Sequence, residues 1–473
     1  MIPYSADTHL VAGQLRKSTG EIVVLRSPVD LSALTEARLA DDALAEGAIQ
    51  GAVDALGAAE RTTPEQRAAA LRALADKLDA RGEELAELAA WEIGCPIAQA
   101  KPLQVHSASG MLRATADLVT RHVFEEERVA ARGGRVLVRK VPIGVAVGIV
   151  AWNVPLFLAC EKLGAAVSAG CPIILKPSPE NARTMQIFAE LLSELDLPHG
   201  MISLLTGGRE LGRKLVADPR IAKVSFTGST EAGRSVAAAA AQRFARCTLE
   251  LGGKSAAILL DDFDIDAKSH ELFLAMVQNN GQVCGAQSRV LVPEAAPHIT
   301  DGLRALFDTL VIGDPLDPET DIGPLATMTQ ADKVRRMEAD ALAAGAQRIA
   351  GVQAQSGDCY VNVSLMAVEP SATLAREEVF GPITALMTYR DIDEAVSIAN
   401  DSPFGLSGSV WTPDIERALG IAKQLRTGTV GLNSKRILDF AAPFGGHRAS
   451  GIGRELGPEG IDGYLEATSI LLP

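Results

Sequence analysis

The pattern of apolar and polar positions divides the chain. Residues 36 to 92 are rich in Ala, Leu, Glu and Arg, as in Glu65-Gln66-Arg67-Ala68-Ala69-Ala70-Leu71-Arg72-Ala73-Leu74, and this predicts helix. Thr63 before Pro64 supplies an N-cap and a first-turn proline. From residue 136 the texture changes. Val136-Leu137-Val138-Arg139-Lys140-Val141 alternates like a strand, and the apolar run from Val145 to Ala151 closes on Trp152-Asn153-Val154-Pro155.

Strand and helix signals then alternate. Pro172 to Pro177 predicts a buried strand, and Arg183 to Leu195 a helix with Met185, Phe188, Leu192 and Leu195 at helical spacing. Met201 to Leu205 and Lys223 to Phe226 predict further strands, and the Ala-rich stretch 231–243 a helix. Short buried strands between helices indicate a doubly wound parallel sheet, in which ligands bind beyond the carboxyl ends of the strands. A second series follows Gly253: Ala256 to Leu260, Val290 to Val292, Ile383 to Tyr389, Gly408 to Trp411 and Thr429 to Leu432. It predicts a second α/β domain. With no internal repeat and no low-complexity linker, the domains are expected to pack together.

Composition narrows the function classes. The 473 residues suggest two to three domains, and 47% hydrophobic with 22% charged residues is ordinary for a globular protein. The net charge of −14, the lack of a basic run, and only 3 Trp and 4 Tyr argue against nucleic acid. The N-terminal stretch from Met1 has no basic segment followed by an apolar block, and no apolar run is long enough to span a bilayer. Neither a signal peptide nor membrane attachment is therefore expected. Cys95, Cys160, Cys171, Cys247, Cys284 and Cys359 are scattered without metal spacing, which fits reduced thiols in the cytoplasm; the 7 histidines are equally dispersed, and no metal site is expected.

Two residues carry candidate chemistry. Cys284 follows Asn279-Asn280-Gly281-Gln282-Val283, and Glu250 opens Glu250-Leu251-Gly252-Gly253-Lys254. A thiol nucleophile and a carboxylate that activates water can make and then hydrolyse a thioester. A lone cysteine is otherwise a small buried hydrophobe. The turn Thr227-Gly228-Ser229-Thr230 offers an anion site at a helix start, or an ordinary cap by Ser229 or Thr230. Thr206-Gly207-Gly208-Arg209-Glu210-Leu211-Gly212 lacks the GxGxxG spacing and reads as a turn. Lys176 ends a buried strand, where it meets either ribose hydroxyls or solvent.

Taken in order, these motifs resemble the aldehyde dehydrogenase superfamily. The resemblance runs through Glu92-Ile93-Gly94-Cys95-Pro96, Pro142-Ile143-Gly144-Val145, Ala151-Trp152-Asn153-Val154-Pro155, Leu175-Lys176-Pro177-Ser178 and Phe226-Thr227-Gly228-Ser229. It continues through Glu250 to Lys254, Gly281-Gln282-Val283-Cys284, Glu377-Glu378-Val379-Phe380-Gly381-Pro382, Pro443-Phe444-Gly445-Gly446 and Ser450-Gly451-Ile452-Gly453-Arg454-Glu455.

The resemblance implies a Rossmann-like cofactor domain (1–123 and 143–251), an α/β catalytic domain (252–448) and a small β oligomerisation element (124–142 and 449–473). It implies NAD(P)-dependent oxidation of an aldehyde to the acid. Cys284 is then the nucleophile, with the Asn153 amide and the Cys284 N–H as oxyanion donors, Glu250 as the hydrolytic base and Lys162 near its proton path. Trp152, Lys176, Ser178, Gly228, Ser229, Leu251, Glu378 and Phe380 are implied for the cofactor. Val154, Phe157, Glu161, Val283, Gly285 and Phe444 are implied for the substrate pocket.

The chain departs from the family at several points. Pro179 stands where NAD-preferring members often carry a glutamate, with Glu180 one later, and this leaves NADP open beside NAD. Val154 replaces a frequent aromatic, Glu161 replaces a large apolar residue, and Gly285 adjoins the nucleophile. Together they predict a wide tunnel for bulky aromatic or branched aldehydes. The alternatives are a CoA-acylating semialdehyde dehydrogenase, against which Glu250 speaks, and a non-catalytic protein retaining the fold. The tail Gly463 to Leu472 reads as a strand able to pair with another chain, so a homodimer or homotetramer is expected.

Overall fold

The computed structural model describes residues 4–354 and 358–473; Met1 to Pro3 of the N-terminal stretch lie outside the described residues. Three helices cover the first helical region: Asp42–Glu60, Pro64–Ala80 and Gly82–Ile93. The Thr63 hydroxyl accepts the Gln66 amide and the Gln66 side chain accepts the Thr63 amide, which completes a capping box ahead of Pro64. Helix begins later than the expected residue 36. Ala33–Arg38 instead forms a strand, because it pairs with Tyr4–Ala6 on one side and Ile22–Arg26 on the other.

The first large sheet has eight strands, in the spatial order Gly451–Ile452, Arg246–Glu250, Ile221–Thr227, Val145–Val150, Ile173–Pro177, Ile202–Leu204, Thr8–Val11 and Gln14–Lys17. The five from Arg246–Glu250 to Ile202–Leu204 are mutually parallel, and the three outer pairings are antiparallel. Val145–Val150 is buried at every position, as a strand covered by helices on both faces must be. Chain order reverses between Val145–Val150 and Ile221–Thr227, and the crevice outside that reversal is where doubly wound sheets bind ligands. The helix Arg209–Ala217 occupies the segment expected as a turn, with Gly208 at its N-cap.

The second sheet has seven strands, in the order Gln347–Ala350, Ser364–Ala367, Ile383–Tyr389, Arg289–Pro293, Ala256–Leu259, Ser407–Trp411 and Thr429–Leu432. Every pairing is parallel except the first. Each strand predicted after Gly253 is present here.

A three-stranded sheet joins Glu125–Val129, Arg135–Pro142 and Leu465–Leu472. The tail strand therefore pairs within its own chain, along Arg135–Pro142, and keeps one edge open. Gly451–Ile452, slightly upstream, lies instead on the edge of the eight-stranded sheet. Among the described residues, no helix is long and apolar enough to cross a membrane.

Candidate active site

Three segments converge at the carboxyl edge of the eight-stranded sheet. Val145–Val150 runs into Trp152 and Asn153, just ahead of the helix Pro155–Ala169. Ile221–Thr227 runs into the turn at Gly228, where Ser229 caps the helix Thr230–Ala241 by accepting the Ala232 amide. Arg246–Glu250 ends on Glu250, which pairs with Thr227 across the ladder and whose carbonyl accepts the Gly228 amide at 3.1 Å.

The nucleophile loop comes from the other sheet. After the helix Ile265–Val277 the chain turns through Asn279, Asn280 and Gly281, with φ of 53°, 60° and 73°. Asparagine tolerates this left-handed region better than other side chains. A side chain at Gly281 would meet the Gly381 carbonyl oxygen at 2.3 Å, so glycine lets this loop press against the segment carrying Glu378 and Phe380.

Buried amides fasten the loop. Asn280 donates to the Gly94 and Pro324 carbonyls at 2.8 and 2.9 Å and accepts the Gly323 amide at 2.8 Å. The Asn279 amide N–H donates to Gln99 at 2.8 Å, and Gln282 accepts the Ala326 amide at 3.0 Å. Asn153 joins the halves. Its Nδ2 donates to the Gln282 carbonyl at 2.9 Å, and its own carbonyl accepts from Gln104 and Asn279 at 3.0 and 3.1 Å. A carboxamide nitrogen has two hydrogens. One holds the side chain in place, and the other remains for a ligand oxygen. Asn279, Asn280, Gln99, Gln104 and Gln282 escaped sequence reasoning, although the run of amides before Cys284 was the available signal.

Cys284 is half-buried, and all six cysteines are free. Burial, then the nearby Glu378, Glu250 and Glu161, pushes its thiol up to about 12. The resting thiol is therefore protonated, contrary to the lowered value a nucleophile needs. Glu250 is 3% exposed, and neither of its oxygens has a hydrogen-bond partner among the described residues. Burial, then the Glu455 charge, holds it well above the carboxylate range. An unpaired buried carboxylate costs several kcal/mol, so Glu250 rests as the neutral acid.

Behind Glu250 lies an ion pair. Lys162 is 0% exposed and donates to both oxygens of Glu455 at 2.8 and 3.1 Å. The Ser225 hydroxyl also donates to Glu455. Burial opposes ionisation of Glu455, but Lys162 and the hydrogen bonds from Glu161, Lys162 and Ser225 outweigh it and hold that carboxyl low. Glu455 stands in a motif of the sequence but was given no role there.

Of the residues implied for the pocket, Val154, Phe157 and Phe444 are buried in the core cluster against which Cys284, Leu438 and Phe440 pack. Phe157 faces Phe440 with ring centroids 6.3 Å apart, and Val283 is half-buried. Gly285 does not widen the site as expected. A β-carbon there would meet the Ile437 Cδ1 at 2.6 Å, so that branched side chain fills the room the glycine leaves. Glu161 is 3% exposed, and its hydrogen-bond partner is Glu455.

The residues implied for a dinucleotide also line the carboxyl edge. Phe380, with φ of 57°, is held by Gln330, which donates to the Phe380 carbonyl at 2.8 Å. Its ring meets Trp152 edge-on, with centroids 5.5 Å apart. Glu378 accepts the Gly253 amide at 3.0 Å. Lys176 is buried, and burial lowers it to about 8 against the opposing pull of Glu180. The Ser178 hydroxyl donates to that same Glu180. Leu251 is buried; a side chain at Gly233 would meet its Cδ2 at 2.5 Å, so it packs under the helix Thr230–Ala241. The buried Thr227 hydroxyl has no partner. A desolvated lysine, a free hydroxyl and a capped helix start along one crevice fit the ribose and phosphates of a dinucleotide.

A profile of the Aldehyde dehydrogenase family matches residues 15–470. Geranial dehydrogenase of Castellaniella defragrans is 40% identical over 411 residues, covering 86% of this chain and 85% of that protein. Betaine aldehyde dehydrogenase of Cereibacter sphaeroides is 35% identical, covering 98% and 97%. The crystal structure of a Mycobacterium tuberculosis aldehyde dehydrogenase complexed with NAD+ superimposes with a TM-score of 0.96 at 36% identity, covering 100% of this chain and 99% of that one.

Two outcomes follow from this geometry. Asn280→Ala leaves three buried backbone groups without partners, and at about 1–3 kcal/mol each the loss is several kcal/mol. Thermal unfolding should show a lower midpoint with slower alkylation of Cys284. In the cofactor-free wild type, alkylation of Cys284 by iodoacetamide should rise about tenfold per pH unit from about pH 7 to 10, because the thiolate fraction grows steadily below a raised pKa. A plateau below about pH 9 would contradict the desolvated thiol.

Proposed function

Because the chain belongs to the aldehyde dehydrogenase family, whose members oxidise aldehydes to acids, we propose that it performs the hydrolytic form of that reaction with NAD. The observation that carries this reading is the pairing of a thiol on one sheet's loop with a partnerless carboxyl, Glu250, at the edge of the other.

The Cys284 thiol gives its proton to water, its sulfur attacks the aldehyde carbon to give a thiohemiacetal, and loss of hydride from that carbon leaves a thioester. The second hydrogen of the Asn153 amide, with the Cys284 backbone N–H, stabilises the oxyanion as it forms. NAD, when bound, supplies the hydride acceptor. Trp152, Lys176, Ser178, Gly228, Ser229, Leu251, Glu378 and Phe380 are the residues that would hold it. Glu250 must surrender its proton to act as base, and the charge of the adjacent Lys162 favours its ionised form. Glu250 then takes a proton from water, the water cleaves the thioester, and the acid departs. Hydrolysis by an internal base favours this route over acylation of CoA.

Val154, Phe157, Phe440 and Phe444 make an apolar lining suited to a bulky aromatic or branched aldehyde. Glu180, beside Lys176, restores the carboxylate that Pro179 displaces, and its charge disfavours a 2′-phosphate. NAD is accordingly preferred to NADP. The free thiols suit the cytoplasm. The open edge of the sheet formed by Glu125–Val129, Arg135–Pro142 and Leu465–Leu472 suits assembly into a dimer or tetramer, and the eight-stranded, the seven-stranded and this sheet support a division into cofactor, catalytic and oligomerisation parts.

Glu250→Gln tests the reading. It should give a burst of one NADH per active site followed by turnover about 10²–10³-fold slower, with acyl label retained on Cys284. Wild-type steady-state rates without a burst, or turnover that requires CoA, would refute it. In steady-state assays Glu180→Gln should raise kcat/KM with NADP about tenfold relative to NAD, the scale of one removed charge repulsion.

A further inference from the structure

The helical layer over the first large sheet carries an irregularity that the chemistry above does not use. Between the helices Gly82–Ile93 and Ser107–Val119 the chain makes a short α-turn, Ile97–Ala100, and then six residues of π-helix, Lys101–His106. Pro102 is the local cause. It has no N–H, and its ring crowds the carbonyl four residues back, so a regular ladder breaks there. The Ser107 N–H bonds to the Pro102 carbonyl, five residues back, and the Ser107 hydroxyl donates to the Leu103 carbonyl, four residues back. Wide turns of this kind are rare and are frequent at functional sites.

The wide turn changes which side chains share a face. Gln99 and Gln104 are five residues apart. At about 100° per residue a regular α-helix would point them about 140° apart, whereas a π-turn carries residue i+5 back over residue i. Both amides reach one junction. Gln99 accepts the Asn279 N–H at 2.8 Å, and Gln104 donates to the Asn153 main-chain carbonyl at 3.0 Å. The Asn279 side chain also donates to that carbonyl, at 3.1 Å, and shares its nitrogen with the Gln282 carbonyl at 3.4 Å. Asn279 belongs to the nucleophile loop, so its bond ties Asn153 to the part that must be aligned. Gln104 ties Asn153 to the scaffold instead. Val105, the next residue, is fully buried in the core cluster that also holds Val154, the residue after Asn153.

Gln104 itself is half satisfied. It is 1% exposed, its nitrogen makes the bond to Asn153, and its Oε1 is buried with no partner among the described residues. A buried orphan acceptor lowers stability, so an apolar side chain of the same length would suit this interior better on packing grounds alone. We infer that Gln104 is a positioning residue: delivered by the π-turn, it sets the Asn153 main chain so that the Asn153 side-chain amide meets the oxyanion forming on the carbon that Cys284 attacks. The inference rests on the proposed reaction and adds to it a residue that acts through Asn153.

Gln104→Met tests this, because it keeps the length and removes both the donor and the orphan oxygen. The Asn153 carbonyl keeps Asn279, so the thermal midpoint should match or exceed that of wild type. With the full-length enzyme, kcat and kcat/KM for benzaldehyde should nevertheless fall together by about tenfold or more, with the KM for NAD unchanged, as for an interaction made in the transition state. The burst of 4-nitrophenolate from 4-nitrophenyl acetate, which acylates Cys284 through an oxyanion and needs no NAD, should slow by a similar factor. Gln99→Met is the contrast. It loses its bonds to Asn279 and to the Asp321 carbonyl, so its midpoint should fall. Wild-type rates in Gln104→Met overturn the inference, as does a raised KM for NAD at unchanged kcat, or a lowered midpoint with a loss of rate that matches the fraction unfolded. A wild type that gives no Cys284-dependent NADH with any aldehyde, but an ester burst that Gln104→Met slows, defeats the dehydrogenase reading and leaves the positioning role standing. A wild type with neither defeats both.

Discussion

The Asn153 carboxamide is the interaction on which the site depends. It projects from the end of a central strand in one sheet, and its hydrogen bond to the Gln282 carbonyl holds the loop that carries the thiol of the other. The bond is buried, so no water substitutes for it, and an unmade partner there costs about 1–3 kcal/mol. Asn279 and Gln104 hold the Asn153 carbonyl in turn, so the side chain that would face a developing oxyanion is positioned from both sides. Donors fixed in advance need no reorganisation when charge appears, and that is the physical basis of their effect.

Charge is the second organising constraint. Glu161, Glu250 and Glu455 sit near Lys162, and a dry interior penalises each anion that no cation directly pairs. Glu455 is the paired one because Lys162 and Ser225 donate to it. Burial and the Glu455 charge hold the other two well above the usual carboxylate range. The same desolvation that keeps Glu250 protonated also keeps the thiol protonated. The resting site is therefore guarded against indiscriminate chemistry, and reactivity depends on changing the local charge.

Much of this was legible in the chain because the strands are short, apolar and separated by helices. The parallel strands Val145–Val150, Ile173–Pro177, Ile202–Leu204 and Ile221–Thr227 were read from local pattern, whereas Arg246–Glu250 and Ser364–Ala367 were not. The Thr63–Gln66 cap was equally local, since its reach is one helical turn. What escaped reading was non-local. Ala33–Arg38 becomes strand only because two distant segments pair with it. Gly285 looked like open space, and only the folded chain brings Ile437 into it. Glu455 was visible as part of a motif, but its attachment to Lys162 spans hundreds of residues, and no periodicity reports it. Cys284, Glu250 and Asn153 were legible as candidates because they recur in a recognised order of motifs; their mutual geometry was not.

Glu455 follows Lys162 by 293 residues, and this separation has a consequence for biogenesis. During synthesis the strands around Lys162 emerge long before the segment that neutralises it, and the edge strand Gly451–Ile452 arrives equally late. Until then a nascent chain can collapse its first sheet only with that ammonium still hydrated or uncompensated, so closure of this interior waits for the segment that carries Glu455. Emergence of that segment, rather than completion of the strands around Lys162, then sets when the interior becomes dry.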